Sequence, residues 1–136
     1  MKKLCYCFIF VFSFMFLSYT EVFAQDSGDP NNYYLTDGRV LTDSDFHLYF
    51  QYMELLRQKP DKETMQAFID AHQVDARIFI SLATRINFGK IILDDPSVTE
   101  RLVSAYGNII VPKGDEIALF KKYDETIKSY QRNSGQ

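Results

Sequence analysis

The stretch ARIFISLATRINFGKIIL, residues 76–93, constrains the fold more than any other part of the chain. With residues placed about 100° apart, as in an α-helix, Ile78, Phe79, Leu82, Ala83, Ile86 and Leu93 share one face. Ile80, Phe88 and Ile91 fall on the other face. A helix that is apolar nearly all round must be covered on most sides, so this segment is expected at the centre of the molecule, with the remaining elements as its cover.

The punctuation on either side reads as a series of helices. From Thr42 to about Lys59 the pattern is helical, and it stops at Pro60, which disfavours helical geometry in the residue before it. Asp61 is placed to cap a second, short helix through His72, with Met65, Phe68, Ile69 and His72 on one side. The central helix follows from about Asp75. In "DDPSVTE" a fourth begins, with Ser97 and Glu100 at capping-box spacing, or with Asp95 as cap and Pro96 in first position. Gly107 ends it, and "NIIV" reads as extended. Pro112, Asp115 and Glu116 open a last helix, with Ile117, Leu119, Phe120, Tyr123, Ile127 and Tyr130 on one side and Lys121, Lys122, Glu125 and Lys128 on the other. One apolar stripe is the mark of an outer bundle helix. The expectation is an all-α, single-domain bundle of about five helices over residues 33–136.

The front of the chain carries an address. A basic start at Lys2 and Lys3, the apolar run LCYCFIFVFSFMFLS and the small residues Val22 and Ala24 before Gln25 describe a secretory signal peptide over residues 1–24, cut after Ala24. The alternative is a retained anchor, although the run is shorter than the roughly 20 residues a spanning helix needs. Cys5 and Cys7 both lie in this run, so after cleavage the chain has no disulfide framework, thiolate metal site or cysteine nucleophile. The expected location is the periplasm or the exterior, with no membrane span after cleavage. Residues 25–32, QDSGDPNN, read as a flexible polar tail. In YYLTDGRVLT, Asp37-Gly38 marks either a two-residue hairpin turn or an extended lead-in arm. Taking Lys2, Lys3 and Glu21 from the 15 basic and 18 acidic side chains leaves 13 and 17, a balance of −4. That sign argues against a nucleic-acid partner, which needs clustered positive charge.

LTDSDFHLYFQY, residues 41–52, brings two aspartates and a histidine together. At spacings of two, Asp45 points away from the side shared by Asp43 and His47, so a helix start, capped by Thr42 or Asp43 and with Asp45 at the positive end of the dipole, is expected in place of a metal site. His47 lines up with Gln51 and Glu54 on a polar strip, and His72 lies on an apolar face as a packed residue bonded to a carbonyl. There is no Gly-x-Ser-x-Gly elbow, phosphate-cradling glycine loop or His-Glu-x-x-His, and no pattern that implies a cofactor. A cell-wall hydrolase built on Glu54 and an aspartate is a rival whose carboxylate separation spacing does not set.

Two surfaces stand out as candidate binding sites. Phe46, Leu48, Tyr49, Phe50, Tyr52, Met53, Leu55 and Leu56 cover an arc of roughly 220° on the first helix, against about 100° for a one-sided core helix. Either two layers cover this helix, or Phe46, Tyr49 and Tyr52, with Tyr34 of the arm, line a groove. Arg77, Ser81, Arg85 and Phe88 line up on one side of the central helix, either as an anion clamp or as a solvated stripe paired with neighbouring acids. These features point to a non-catalytic binding or adaptor module that holds a protein partner of the cell envelope, or an apolar or anionic small ligand. The alternative is a structural subunit of an envelope or secretion assembly.

Overall fold

The computed structural model describes residues 39–73 and 75–133. The expected signal peptide with Cys5 and Cys7, the expected polar tail over residues 25–32, Tyr34 and the expected turn at Asp37-Gly38 lie outside the described residues. Six α-helices make up the described chain, with no strand among the described residues: α1 Asp43–Arg57, α2 Lys62–His72, α3 Ala76–Asp94, α4 Thr99–Tyr106, α5 Gly114–Lys122 and α6 Asp124–Asn133. None of them is long and apolar enough to cross a membrane.

Local chemistry places most helix ends. Thr42 is the cap of α1, and its backbone N–H (2.7 Å) and hydroxyl (3.0 Å) both donate to the Asp45 carboxylate. Lys59 turns into the left-handed region (φ 51°) directly before Pro60. The Asp61 carboxylate accepts from Thr64 N at 2.7 Å to start α2, and the Asp75 carboxylate accepts from Arg77 N at 2.9 Å to start α3. Asp95, not the Ser97–Glu100 pair, caps the next segment by accepting from Ser97 N, with Pro96 first in a 3-10 turn that leads into α4. Gly107 (φ 86°) ends α4 in a conformation that a side chain would strain.

Two expectations are corrected. Asn108–Ile110 is a 3-10 turn, not an extended segment; it drops Ile110 into the core, where it is 1 % exposed. The last helix is broken at Tyr123 into α5 and α6, which makes six helices where about five were expected. At the break the Tyr123 ring stacks on Phe46 (centroids 5.5 Å apart) and meets Phe50 edge-on, and its hydroxyl donates to Asp43. Asp124 then starts α6 bound to Lys90 of α3 at 2.7 Å.

The helix α3 is central, with twelve of its nineteen residues buried. On one side Phe79, Leu82, Ala83 and Ile86 pack with Phe46, Tyr49, Tyr52 and Met53 of α1, Met65 and Ile69 of α2, Phe120 of α5 and Ile127 of α6. On the other, Phe88 and Ile92 form a second core with Leu102 of α4 and Ile110. A Cβ at Gly89 would stand 2.7 Å from Phe120 Cζ, so the missing side chain is what lets α5 lie this close to α3.

Within this core α3 also carries buried polar groups, each directed at a different helix. Arg85 reaches Glu116 of α5 at 2.9 Å, Asn87 Oδ1 accepts from the Tyr49 hydroxyl of α1 at 2.7 Å, and Lys90 meets Asp124 of α6. Burial pushes the Tyr49 phenol well above its ordinary range, so it remains a donor. Buried polar pairs contribute little net stability compared with apolar packing, but each penalises a wrong helix arrangement, because a partner lost in the interior leaves a polar group stranded.

Candidate functional site

The first surface expected from the sequence is resolved by the position of α1. Phe46 and Tyr49 are 0 % exposed and Tyr52 is 3 % exposed. Phe46 lies edge-on to Phe120 and stacks with Tyr123, while Tyr52 stacks with Phe79 of α3 beside Phe68 of α2. The wide apolar arc is therefore covered by several helices at once, so these three residues are core and do not line a groove.

A groove does lie beside them, built from the residues at the edge of that arc. Phe50 and Leu55 of α1, Phe68 of α2 and Tyr130 of α6 form its apolar walls, and Gln51, Glu54 and Gln58 form its polar edge, around an open volume of about 440 Å³. Phe50 and Tyr130 stack with centroids 6.0 Å apart. The Glu54 carboxylate accepts from the Tyr130 hydroxyl and from Arg57, both at 3.3 Å, and the Arg57 guanidinium lies over the Tyr130 ring. Partial burial, with the nearby Glu54 charge, raises the Tyr130 phenol above its ordinary range. At the α2 side, His72 Nε2 and Gln51 Oε1 are 2.7 Å apart, and His72 Nδ1 lies 2.8 Å from the Phe68 carbonyl. This is the packed, carbonyl-bonded histidine expected from its place on α2.

The second expected surface is taken apart. Arg77 is exposed and pairs with Asp75 at the helix cap. Ser81 is half-buried, and Arg85 turns inward, 3 % exposed, onto Glu116. The carboxylate of Glu116 also accepts from the backbone N–H of Leu41 (3.2 Å) and of Lys113 (3.4 Å). Arg77 and Arg85 thus serve different sites and do not form one anion clamp.

Asp43, Asp45 and His47 do not converge either. Asp45 accepts from both terminal nitrogens of the Arg39 guanidinium, Nη1 at 2.5 Å and Nη2 at 2.7 Å. Its burial pushes the carboxyl pKa up, but Arg39 and the two Thr42 donors outweigh this and leave it below the usual carboxylate value. Asp43 faces the other way, accepting from Lys122 Nζ (2.8 Å) and the Tyr123 hydroxyl (2.7 Å), and these bonds hold its pKa down. His47 Nε2 lies 3.1 Å from Asp43 and 3.2 Å from the Tyr123 hydroxyl, on the surface. Among the described residues no three or more His, Cys, Asp or Glu side chains are grouped to hold a metal ion.

The groove has walls for an apolar or aromatic group and an edge of amide and carboxylate oxygens that accept hydrogen bonds. Glu54 is the one acid among the described residues that line it. In the sequence Phe50, Leu55, Phe68 and Tyr130 stand apart, on three different helices. The signal that they belong together was the excess width of the apolar arc on α1, which told of extra surface but not of what stood opposite. Comparison with protein-family models, with curated proteins and with solved structures gave no match.

Proposed function

We propose that the protein is a non-catalytic binding module of the periplasm or cell exterior that holds an apolar segment of a protein partner in the groove between α1, α2 and α6. The observation that carries this reading is the groove itself, in which Phe50, Leu55, Phe68 and Tyr130 are left partly exposed beside a filled core. Aromatic side chains with a polar edge suit recognition of side chains from an extended or helical segment, because they supply contact area at low conformational cost. The signal-like front of the sequence supports the location.

The test is a photo-crosslinker at Gln58, on the groove edge, with the captured segment mapped by mass spectrometry and then made as a peptide carrying one tryptophan. The chain itself has no tryptophan, so a shift in indole emission reports entry into an apolar site. Leu55→Asp is expected to weaken that peptide at least about tenfold, since a carboxylate replaces an apolar wall, while the melting temperature stays within a few degrees. Unchanged affinity in Leu55→Asp, or a captured segment without apolar side chains, overturns the proposal.

A further inference from the structure

We infer that α2 is a lid over the groove, swinging outward as a unit about Lys59 and Gln73 and deepening the site down to Tyr52 and Phe79. The inference rests on the groove as the binding site and adds how that site opens.

Four observations carry it. First, α2 is attached by a narrow strip: seven of its eleven residues are exposed, and only Met65 and Ile69 are fully buried, with Phe68 half-buried beside them. Few buried contacts and a largely solvated surface mark the parts of a domain that open before the rest. Second, the connections on either side of it each hold a residue with a side chain in the left-handed region, Lys59 (φ 51°) in the link from α1 and Gln73 (φ 53°) at its own C-cap. That conformation is strained for a residue with a Cβ, so in each case a rotation out of it recovers free energy as the lid moves. Hinges are commonly a few such residues at the ends of elements.

Third, the His72–Gln51 bond joins the last turn of α2 to the groove edge of α1, as a latch would. Fourth, the surface beneath is made for an aromatic or aliphatic insert. Phe68 packs on Phe79 (centroids 5.0 Å) and beside Tyr52 (6.4 Å), and Tyr52 and Phe79 stack on each other at 5.3 Å. Lifting α2 removes Phe68 from this stack and leaves a place of the same shape for a ring or branched side chain of the bound segment. Capture would then exchange one aromatic contact for another, which keeps the opened state within reach of a modest ligand.

The experiment is thiol labelling of the ligand-free chain in a background with Cys5 and Cys7 replaced by serine. Met65→Cys reports the underside of α2, and Ile110→Cys reports the second core. The lid predicts labelling at position 65 at least about 100-fold faster than at 110, with little dependence on added urea, since a local opening exposes little surface. Adding Gln51→Ala to cut the latch is expected to speed labelling at 65 about fivefold, the worth of one net hydrogen bond, and to leave 110 unchanged. Equal rates and equal urea slopes at the two positions, or a latch cut that changes neither, overturn the lid. Because no ligand is present, that outcome leaves the groove proposal standing, whereas an unaffected peptide affinity in Leu55→Asp removes the groove without touching the labelling result.

Discussion

Replacing Glu116 by glutamine tests whether the tie between α3 and α5 is a buried ion pair of the kind the geometry describes. Arg85 and Glu116 side chains are 3 % and 2 % exposed and meet at 2.9 Å. At that distance, and with an effective dielectric of about 20, the gross attraction is about 6 kcal/mol. Most of it offsets the cost of taking both charges out of water, so the pair adds little net stability, yet removing one member strands the other. The expected loss for Glu116→Gln is about 3–5 kcal/mol, a large part of the roughly 5–15 kcal/mol that holds a small domain folded.

A double replacement, Arg85→Met with Glu116→Leu, removes both charges and is expected to recover most of that loss. It should still fall short by about 1–3 kcal/mol, because the buried Leu41 N–H, which donates to Glu116 Oε1, loses its acceptor. Lys113 N–H, on an exposed residue, can turn to water. Urea unfolding followed by helix circular dichroism on the unsubstituted chain, Arg85→Met, Glu116→Leu and the double replacement gives the coupling directly, with Glu116→Gln measured beside them. A Glu116→Gln loss below about 1 kcal/mol with an unchanged urea slope would refute the reasoning, since a charge stranded in a dry core cannot be that cheap.

Gly89→Ala is expected to destabilise by about 1–3 kcal/mol in the same urea assay, because its methyl would overlap Phe120 and press on Pro112 Cγ at 3.2 Å, forcing α5 away from α3. On pH, Asp45 has a folded-state pKa below its unfolded value, so its contribution is fully present above about pH 4 and is lost as pH falls through the folded value. Stability should therefore drop in acid, and Asp45→Asn should lower it at neutral pH while flattening that acid slope; an unchanged slope in urea midpoints between pH 5 and 2 would deny Asp45 the role.

The helix starts and stops were written locally. Asp61, Asp75 and Asp95 accept from backbone N–H groups two or three places along, Thr42 donates to Asp45 three places along, and Pro60 and Gly107 act on their immediate neighbours, so their meaning does not depend on the rest of the chain. The central place of α3 was legible for a related reason: a helix with apolar residues all round has only one kind of environment that suits it. Periodicity says that a face is covered, but not by what. For that reason the break at Tyr123, hidden inside one continuous apolar stripe, came only with the contacts of its ring to Phe46 and Phe50 and of its hydroxyl to Asp43, some 80 residues earlier.

The same limit applied to the candidate sites. Whether Phe46, Tyr49 and Tyr52 faced inward, and whether Arg85 met solvent or Glu116, was a matter of which helix lay opposite, at separations of 16 residues or more. Phe50, Leu55, Phe68 and Tyr130 become one groove only when α2 and α6 close on either side of α1. Caps, breaks and amphipathic faces are properties of a few neighbouring residues and can be read in order along the chain; a groove or a buried pair is a property of what packing brings together, and it exists only once the chain has folded.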